Sequence, residues 1–184
     1  MRGSSSELLF NVVDPKVNNM FHRQTGVYVM NTKIENIIKD GMTGTKTAGS
    51  LLGGANKGTP SIAVVWGTMK YTIAQYHGVT LDKQACINTC EGIVNCLSAC
   101  KYGCSSLTSG VGNLFGPFLE LDTLGINTTI NALLTYRIGK LYDNLYGPEK
   151  LGTATSGFGT EVYKPILGVP SLKEFQDFWR MWKG

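Results

Sequence analysis

The stretch TPSIAVVWGTMKYTIAQYHG, residues 59–78, most constrains the fold because it carries both ends of a helix and one apolar side. Thr59 is a typical N-cap residue, Pro60 suits a first helical turn, and Gly78 is the residue type that ends helices. At about 100° per residue, the large apolar side chains share an arc of roughly 100°. They are Ile62, Val65, Trp66, Met69, Ile73 and Tyr76. The segment is therefore predicted to be an amphipathic α-helix.

Two more helices are predicted on either side of this one. In NTKIENIIKDG, Thr32 precedes Glu35 by three positions, the spacing of a capping box, and Gly41 stands where a terminating glycine belongs. On the other side, Thr80 is expected to open a helix that runs to about Gly103.

Two further segments complete the helical pattern. Residues 125–146 gather apolar side chains on one face before a Gly-Pro stop, namely Ile126, Ile130, Leu133, Leu134, Leu141 and Leu145. Ser171 and Glu174 have the spacing of a second capping box ahead of a final helix. The one plausible strand is TGVYVMN at residues 25–31. We therefore predict an all-α fold of about five to six helices.

Glycines at intervals of four predict close helix packing, because small residues let helix backbones approach each other. Such pairs are Gly49 and Gly53, Gly54 and Gly58, and Gly112 and Gly116. Residues 102–119 carry no charge, but glycine, serine and threonine interrupt them. A membrane span needs about twenty mainly apolar residues, so a glycine-rich loop is favoured there and a membrane-entering segment is the alternative.

All five cysteines lie within residues 86–104. On one helix they share an arc of about 120° with Ile93 and Leu97; they are Cys86, Cys90, Cys96, Cys100 and Cys104. Disulfides between positions four apart on a helix are geometrically awkward, and metal sites usually use CxxC pairs or histidines. We therefore predict buried, reduced, packing thiols, so that Cys96→Ser or Cys100→Ser costs about 1–3 kcal/mol. A redox or disulfide role, metal or cluster ligation, and S-acylation are the alternatives.

No complete catalytic motif is present. GMTGTKTAGS lacks the spacing of a phosphate-binding loop, and GFGTEV lacks the third glycine of a dinucleotide fingerprint. No catalytic residue, cofactor-binding residue or metal ligand is therefore assigned, and no small-molecule substrate is identified. The net charge of +4 is mild and no Lys/Arg run concentrates it, which argues against nucleic-acid binding.

Arg137 stands within the apolar stripe of its predicted helix. Two interpretations are open. The side chain either extends along the apolar surface to reach water, or forms a buried ion pair with Glu120 or Asp122.

The chain is expected to divide into three parts: a helical domain with a polar N-terminal segment over residues 1–147, an irregular connection over 148–170, and a C-terminal docking helix over 171–184. Three prolines and several glycines leave the connection without a helical period. The apolar arc of the last helix spans roughly 180°, and its Trp, Phe and Met residues are types enriched at interfaces. These predicted docking residues are Leu172, Phe175, Phe178, Trp179, Met181 and Trp182. The alternative is that this helix covers the chain's own core.

Two classes of function follow from the sequence. The first is a non-catalytic structural or interaction subunit of a larger assembly whose partners are other protein subunits. Reduced thiols place it in the cytoplasm or an organelle matrix, with association at a membrane surface left open. The second is a small soluble enzyme or ligand carrier that uses a reactive thiol of the 86–104 cysteine helix.

Overall fold

The computed structural model describes residues 30–46, 59–99, 107, 109–111, 123–147 and 164–183. In these ranges the fold is all-α, as predicted, and no strand occurs. The helices whose bounds are described are α1 (Thr32–Gly44), α2 (Thr59–Tyr76), α3 (Lys83–Ala99), α4 (Thr123–Tyr146), the 3-10 helix η1 (Lys164–Leu167) and α5 (Leu172–Lys183). Residues 107 and 109–111 are α-helical as well. Predictions for the N-terminal segment, the three glycine pairs, Cys100, Cys104 and residues 148–163 fall outside the described residues, so they stay predictions.

Helix α1 differs from its prediction at both ends. The Lys33 N–H donates to Asn31 Oδ1 at 2.9 Å, so Asn31 and not Thr32 is the N-cap. The helix also continues through Gly41 to Gly44. It continues because Met42, the residue directly after Gly41, is fully buried in the core.

Local hydrogen bonds determine where α2 ends and where α3 begins. Gly78 has a φ of +73°, and the Val79 N–H donates to Ala74 O at 2.9 Å, which gives α2 the glycine terminus that the sequence predicted. Helix α3 begins later than predicted. Its cap is Asp82 and not Thr80, since Asp82 Oδ1 accepts from the Ala85 N–H at 2.7 Å.

Helix α4 is the centre of the molecule. It packs against α1, α2, η1 and α5, and residues 129–139 are buried without exception. The predicted apolar face is buried where its side chains are described, but so are the other faces. The buried polar residues of α4 are Thr129, Asn131, Thr135, Arg137 and Asp143. A helix enclosed on all sides is a core helix and not the one-sided element that its apolar stripe suggested.

Two glycines bring helix backbones close together. A Cβ at Gly67 of α2 would lie 2.5 Å from the Ile87 Cα of α3, and a Cβ at Gly139 of α4 would lie 2.5 Å from Ile38 Cγ1 of α1. Close glycine-mediated packing is therefore a feature of this fold. It occurs at positions other than the glycine pairs that the sequence singled out. Among the described helices, none has both the length and the apolar content needed to cross a membrane.

Candidate functional site

The C-terminal helix α5 begins at a serine cap. The Glu174 N–H donates to Ser171 Oγ at 3.1 Å, which is one half of the predicted capping box. The other half is absent because the Glu174 carboxylate points to α4 and not back to the cap. Its two oxygens accept from Arg137 Nε at 2.6 Å and from Arg137 Nη2 at 2.9 Å.

Arg137 ties three elements together. Its guanidinium also donates to the carbonyl oxygens of Ile166 in η1 and of Gly168, the latter at 2.7 Å. Only 4% of Arg137 is exposed, so its charge is compensated inside the protein. The buried ion pair that the sequence allowed is therefore present, and among the described residues its acid is Glu174, which α5 brings to the middle of α4. The acids named in the prediction, Glu120 and Asp122, lie outside the described residues.

The inner face of α5 belongs to the chain's own core. Phe178 is fully buried and Phe175 nearly so, and the Phe178 ring meets Tyr136 of α4 edge-on at a centroid distance of 5.9 Å. Trp182 stacks on Phe178 at 6.0 Å, and the Nζ of Lys46, two residues after the end of α1, lies 4.1 Å from the Trp182 ring centroid. Of the six predicted docking residues, the two phenylalanines thus face inward, as the alternative interpretation expected.

One edge of α5 is left open. Leu172 is 66% exposed, and Trp179, two turns later on the same side of the helix, is partly buried. We call Leu172 and Trp179 the α5 shoulder. Lys183 Nζ lies 5.0 Å from the Trp179 ring centroid, which places a positive charge beside the shoulder. Val169, three residues before Leu172 in the chain, is a further exposed apolar residue.

Met181 lies on the opposite edge of the apolar arc and is partly buried against the core. Trp179 and Trp182 are partly buried against the core as well, and the Trp179 ring stacks on Phe175 at 5.5 Å. Of the six predicted docking residues, Leu172 is the one that is exposed, and Trp179 lies on the same side of the helix. Whether a partner uses them stays a prediction.

The cysteines do not form the single buried stripe that was predicted. Cys86 and Cys90 are buried and free, whereas Cys96 is also free but exposed. The buried arc of α3 is centred near Cys90 and Leu97 and extends to Val94, so that Cys96 lies roughly 60° beyond its other edge. A serine at position 96 can therefore bond to water, and the predicted loss of stability for Cys96→Ser does not apply.

A second polar cluster lies where α2 ends beside α3 and α4. Cys90 Sγ and Tyr142 Oη are 3.2 Å apart, and His77 Nε2 lies 2.7 Å from Asp143 Oδ1, a carboxylate that is only 2% exposed. Burial raises the pKa of the Cys90 thiol to about 11, against a weaker lowering by the Tyr142 hydrogen bond. Burial also raises the pKa of Cys86. These thiols are held in their protonated form, which is the less nucleophilic one.

Neither cluster has the composition of a metal centre. Among the described residues, no three His, Cys, Asp or Glu side chains are placed to hold a metal ion, and every buried side-chain nitrogen or oxygen there has a hydrogen-bond partner. A shallow groove of about 340 Å³ lies between α1 and α2. Its lining residues are Ile37, Asp40, Gly41, Gly44, Val64, Val65, Thr68, Met69 and Thr72.

Comparison of the chain with known protein families, with curated proteins and with solved structures found no match. A function for this site is therefore inferred from the geometry of the described residues alone. Sequence reasoning missed the Arg137–Glu174 pair, although an arginine inside an apolar stripe was the signal for it. The His77–Asp143 contact had no comparable signal, since 66 positions separate the two residues.

Proposed function

We propose that this protein is a non-catalytic interaction subunit of a larger protein assembly, and that it docks to a partner subunit through the α5 shoulder. The observation that carries the proposal is the 66% exposure of Leu172 on a helix that is otherwise anchored in the core. Tryptophan is a type enriched at interfaces and their hot spots, and Leu172 adds exposed apolar surface two turns away on the same side of the helix.

Preorganisation adds to this argument. The double hydrogen bond from Arg137 to Glu174 fixes the rotation of α5 about its own axis, so that the shoulder is presented in one orientation. A partner that binds a fixed surface does not have to order it first, and this lowers the entropic cost of association. A helix on a flexible tether would lack that advantage.

The alternative function, an enzyme or ligand carrier with a reactive thiol, receives less support from the two buried thiols of α3. A nucleophilic cysteine needs a lowered pKa. The pKa values of Cys86 and Cys90 are raised instead, chiefly by burial. An intracellular or organelle-matrix location is part of the proposal, because the described cysteines are all free and an exposed free thiol such as Cys96 is compatible with a reducing compartment.

The test is a charge placed on the shoulder of the full chain. Leu172→Glu should shift the protein from the assembly to the free chain in native mass spectra of the complex purified from its source. We expect at least about a tenfold loss of affinity, because a carboxylate at the centre of an apolar contact remains without a partner. Folding should be preserved, since a negative charge in the first turn of a helix is favourable.

Val64→Glu is the matched control. Val64 is an exposed apolar residue of α2, at 47%, and it lies in the groove and not on α5. The assembly should survive this variant. If Leu172→Glu assembles as the wild type does, or if Val64→Glu is the variant that dissociates, the α5 shoulder is not the docking surface.

A further inference from the structure

The chemistry of the partner can be inferred from the charges that surround the shoulder, and this inference rests on the proposed function. Helix α5 carries three basic and two acidic side chains. On the sequence alone the two signs nearly balance. In the structure the negative charge of Glu174 is compensated by Arg137, so one acidic and three basic side chains of α5 remain for a partner.

The remaining charges are unevenly placed. At about 100° per residue, Lys183, Arg180 and Lys173 follow the shoulder in that order within roughly 100° of Leu172. All three are exposed. Asp177 lies farther round the helix and is only partly exposed. Arg180 has an acidic neighbour at 3.9 Å, Glu35 of α1, but this contact between side chains that are 75% and 35% exposed is weak.

From this arrangement we infer that the partner presents an acidic amphipathic segment, with apolar residues against Leu172 and Trp179 and carboxylates against Lys173 and Lys183. Charge complementarity of this kind steers association and selects the partner. Lys183 already lies over the Trp179 ring, so a partner carboxylate there would meet a lysine whose position is partly fixed.

A lipid surface fits the geometry less well. A helix that lies in a membrane interface buries its whole apolar face among the lipid chains. On α5 the middle of that face, Phe175 and Phe178, is buried in the protein's own core. Only the narrow shoulder is available, which suits a partner side chain and not a bilayer.

The experiment measures binding of the full chain to three probes. The first is a synthetic amphipathic helix with leucines on one face and glutamates beside them. The second is the same peptide with lysine at each glutamate position, and the third is vesicles of phosphatidylcholine and phosphatidylserine. The glutamate peptide should bind at least about tenfold more tightly than the lysine peptide, and added salt should weaken its binding.

Charge reversal provides the decisive comparison. The double variant Lys173→Glu and Lys183→Glu should invert the peptide preference and release the chain from its source assembly. The control pair Lys33→Glu and Lys83→Glu changes the net charge equally at exposed positions of α1 and α3, and it should do neither. Equal binding of both peptides, or vesicle binding without peptide binding, would overturn the inference.

The two proposals fail in different ways. If Leu172→Glu disrupts the assembly while the double variant at Lys173 and Lys183 leaves it intact, docking stands and the acidic partner is wrong. If Leu172→Glu itself leaves the assembly intact, the docking function is wrong.

Discussion

Helices α4 and α5 are linked by the Arg137–Glu174 ion pair but differ in how far the protein encloses them. Helix α4 is enclosed on all sides, and its polar residues find partners inside the protein. Helix α5 is enclosed on one side only, and its polar residues face water except for Glu174. A polar residue therefore marks the outer surface of α5, whereas on α4 it marks an internal connection.

Thr135 illustrates the rule for α4. Its hydroxyl accepts from Trp66 Nε1 of α2 at 2.9 Å, donates to Asn131 O at 2.7 Å and lies 3.2 Å from the Thr45 hydroxyl. One side chain thus links α4 to α2 and to the end of α1. Such a network fixes the relative positions of three helices, which apolar packing alone leaves less specified.

Replacing Arg137 with leucine should have the largest effect, because this residue joins the two kinds of helix. The change leaves the Glu174 carboxylate and the buried Ile166 carbonyl without their donor. We expect the free energy of unfolding to fall by about 3–5 kcal/mol, the usual result of removing one partner from a buried pair. Urea-induced unfolding, followed by tryptophan fluorescence, measures this change.

Glu174→Gln is the milder comparison. It keeps an acceptor for Arg137 and removes the charge from a side chain that is 25% exposed, so a loss of about 1 kcal/mol is expected. A loss below about 1 kcal/mol for Arg137→Leu would mean that the pair behaves as a surface salt bridge. The contrast between the interior of α4 and the exterior of α5 would then not hold at their junction.

The amphipathic helices were within reach of the sequence because their pattern is local. The apolar arc of α5 and the glycine terminus of α2 depend on residues a few positions apart, and both were predicted. The surroundings of α4 depend on contacts with four distant elements. No periodicity distinguishes an arginine that reaches water from one that pairs with a carboxylate 37 positions later.

For the candidate site, too, the local pattern was predictable and the distant contacts were not. The sequence identified the helix and its apolar residues, but not which edge remained open, since that is decided by the rotation of α5 against α4. The prediction of a single buried cysteine stripe was wrong at Cys96 for a related reason. A helical wheel gives the relative angles of Cys90 and Cys96, whereas the direction of the core is set by the neighbouring helices.

Replacing a glycine with alanine should destabilise the protein where the helix is enclosed and stabilise it where the helix is open to water. At Gly139 of α4 the new Cβ would lie 2.5 Å from Ile38 Cγ1 and 2.9 Å from its Cδ1, and Ile38 is fully buried. Gly139→Ala should therefore destabilise the protein by about 1–3 kcal/mol through overpacking. Thermal and urea unfolding of the full chain measure the change.

The matched variant is Gly92→Ala on the exposed side of α3, where a Cβ meets nothing within 4 Å. Alanine there removes the helix penalty of glycine and should stabilise by about 0.5–1 kcal/mol. If both substitutions stabilise the protein, α1 and α4 have room to separate, and α4 is less tightly enclosed than its burial indicates.

A further small effect is a pH dependence at the contact between α3 and the C-terminal half of α4. Burial raises the pKa of Cys90 from 9.0 to about 11 in the folded protein, so the folded state keeps the proton that the unfolded state releases first. The stabilisation is complete below about pH 9 and is lost as the pH rises towards 11. At about one pH unit above the unfolded value, the loss amounts to about 1 kcal/mol.

Cys90→Ala isolates this contribution from other groups that titrate in the same range. The wild type should exceed Cys90→Ala in stability near neutral pH, and the difference should shrink by about 1 kcal/mol at about pH 10. Ile93→Val serves as the control because it removes one buried methylene group on the same side of α3 and no titratable group. Its difference from the wild type should stay constant with pH. A constant difference for Cys90→Ala as well would mean that the thiol ionises equally easily in both states, and that this edge of α4 is open to water in the way that the outer face of α5 is.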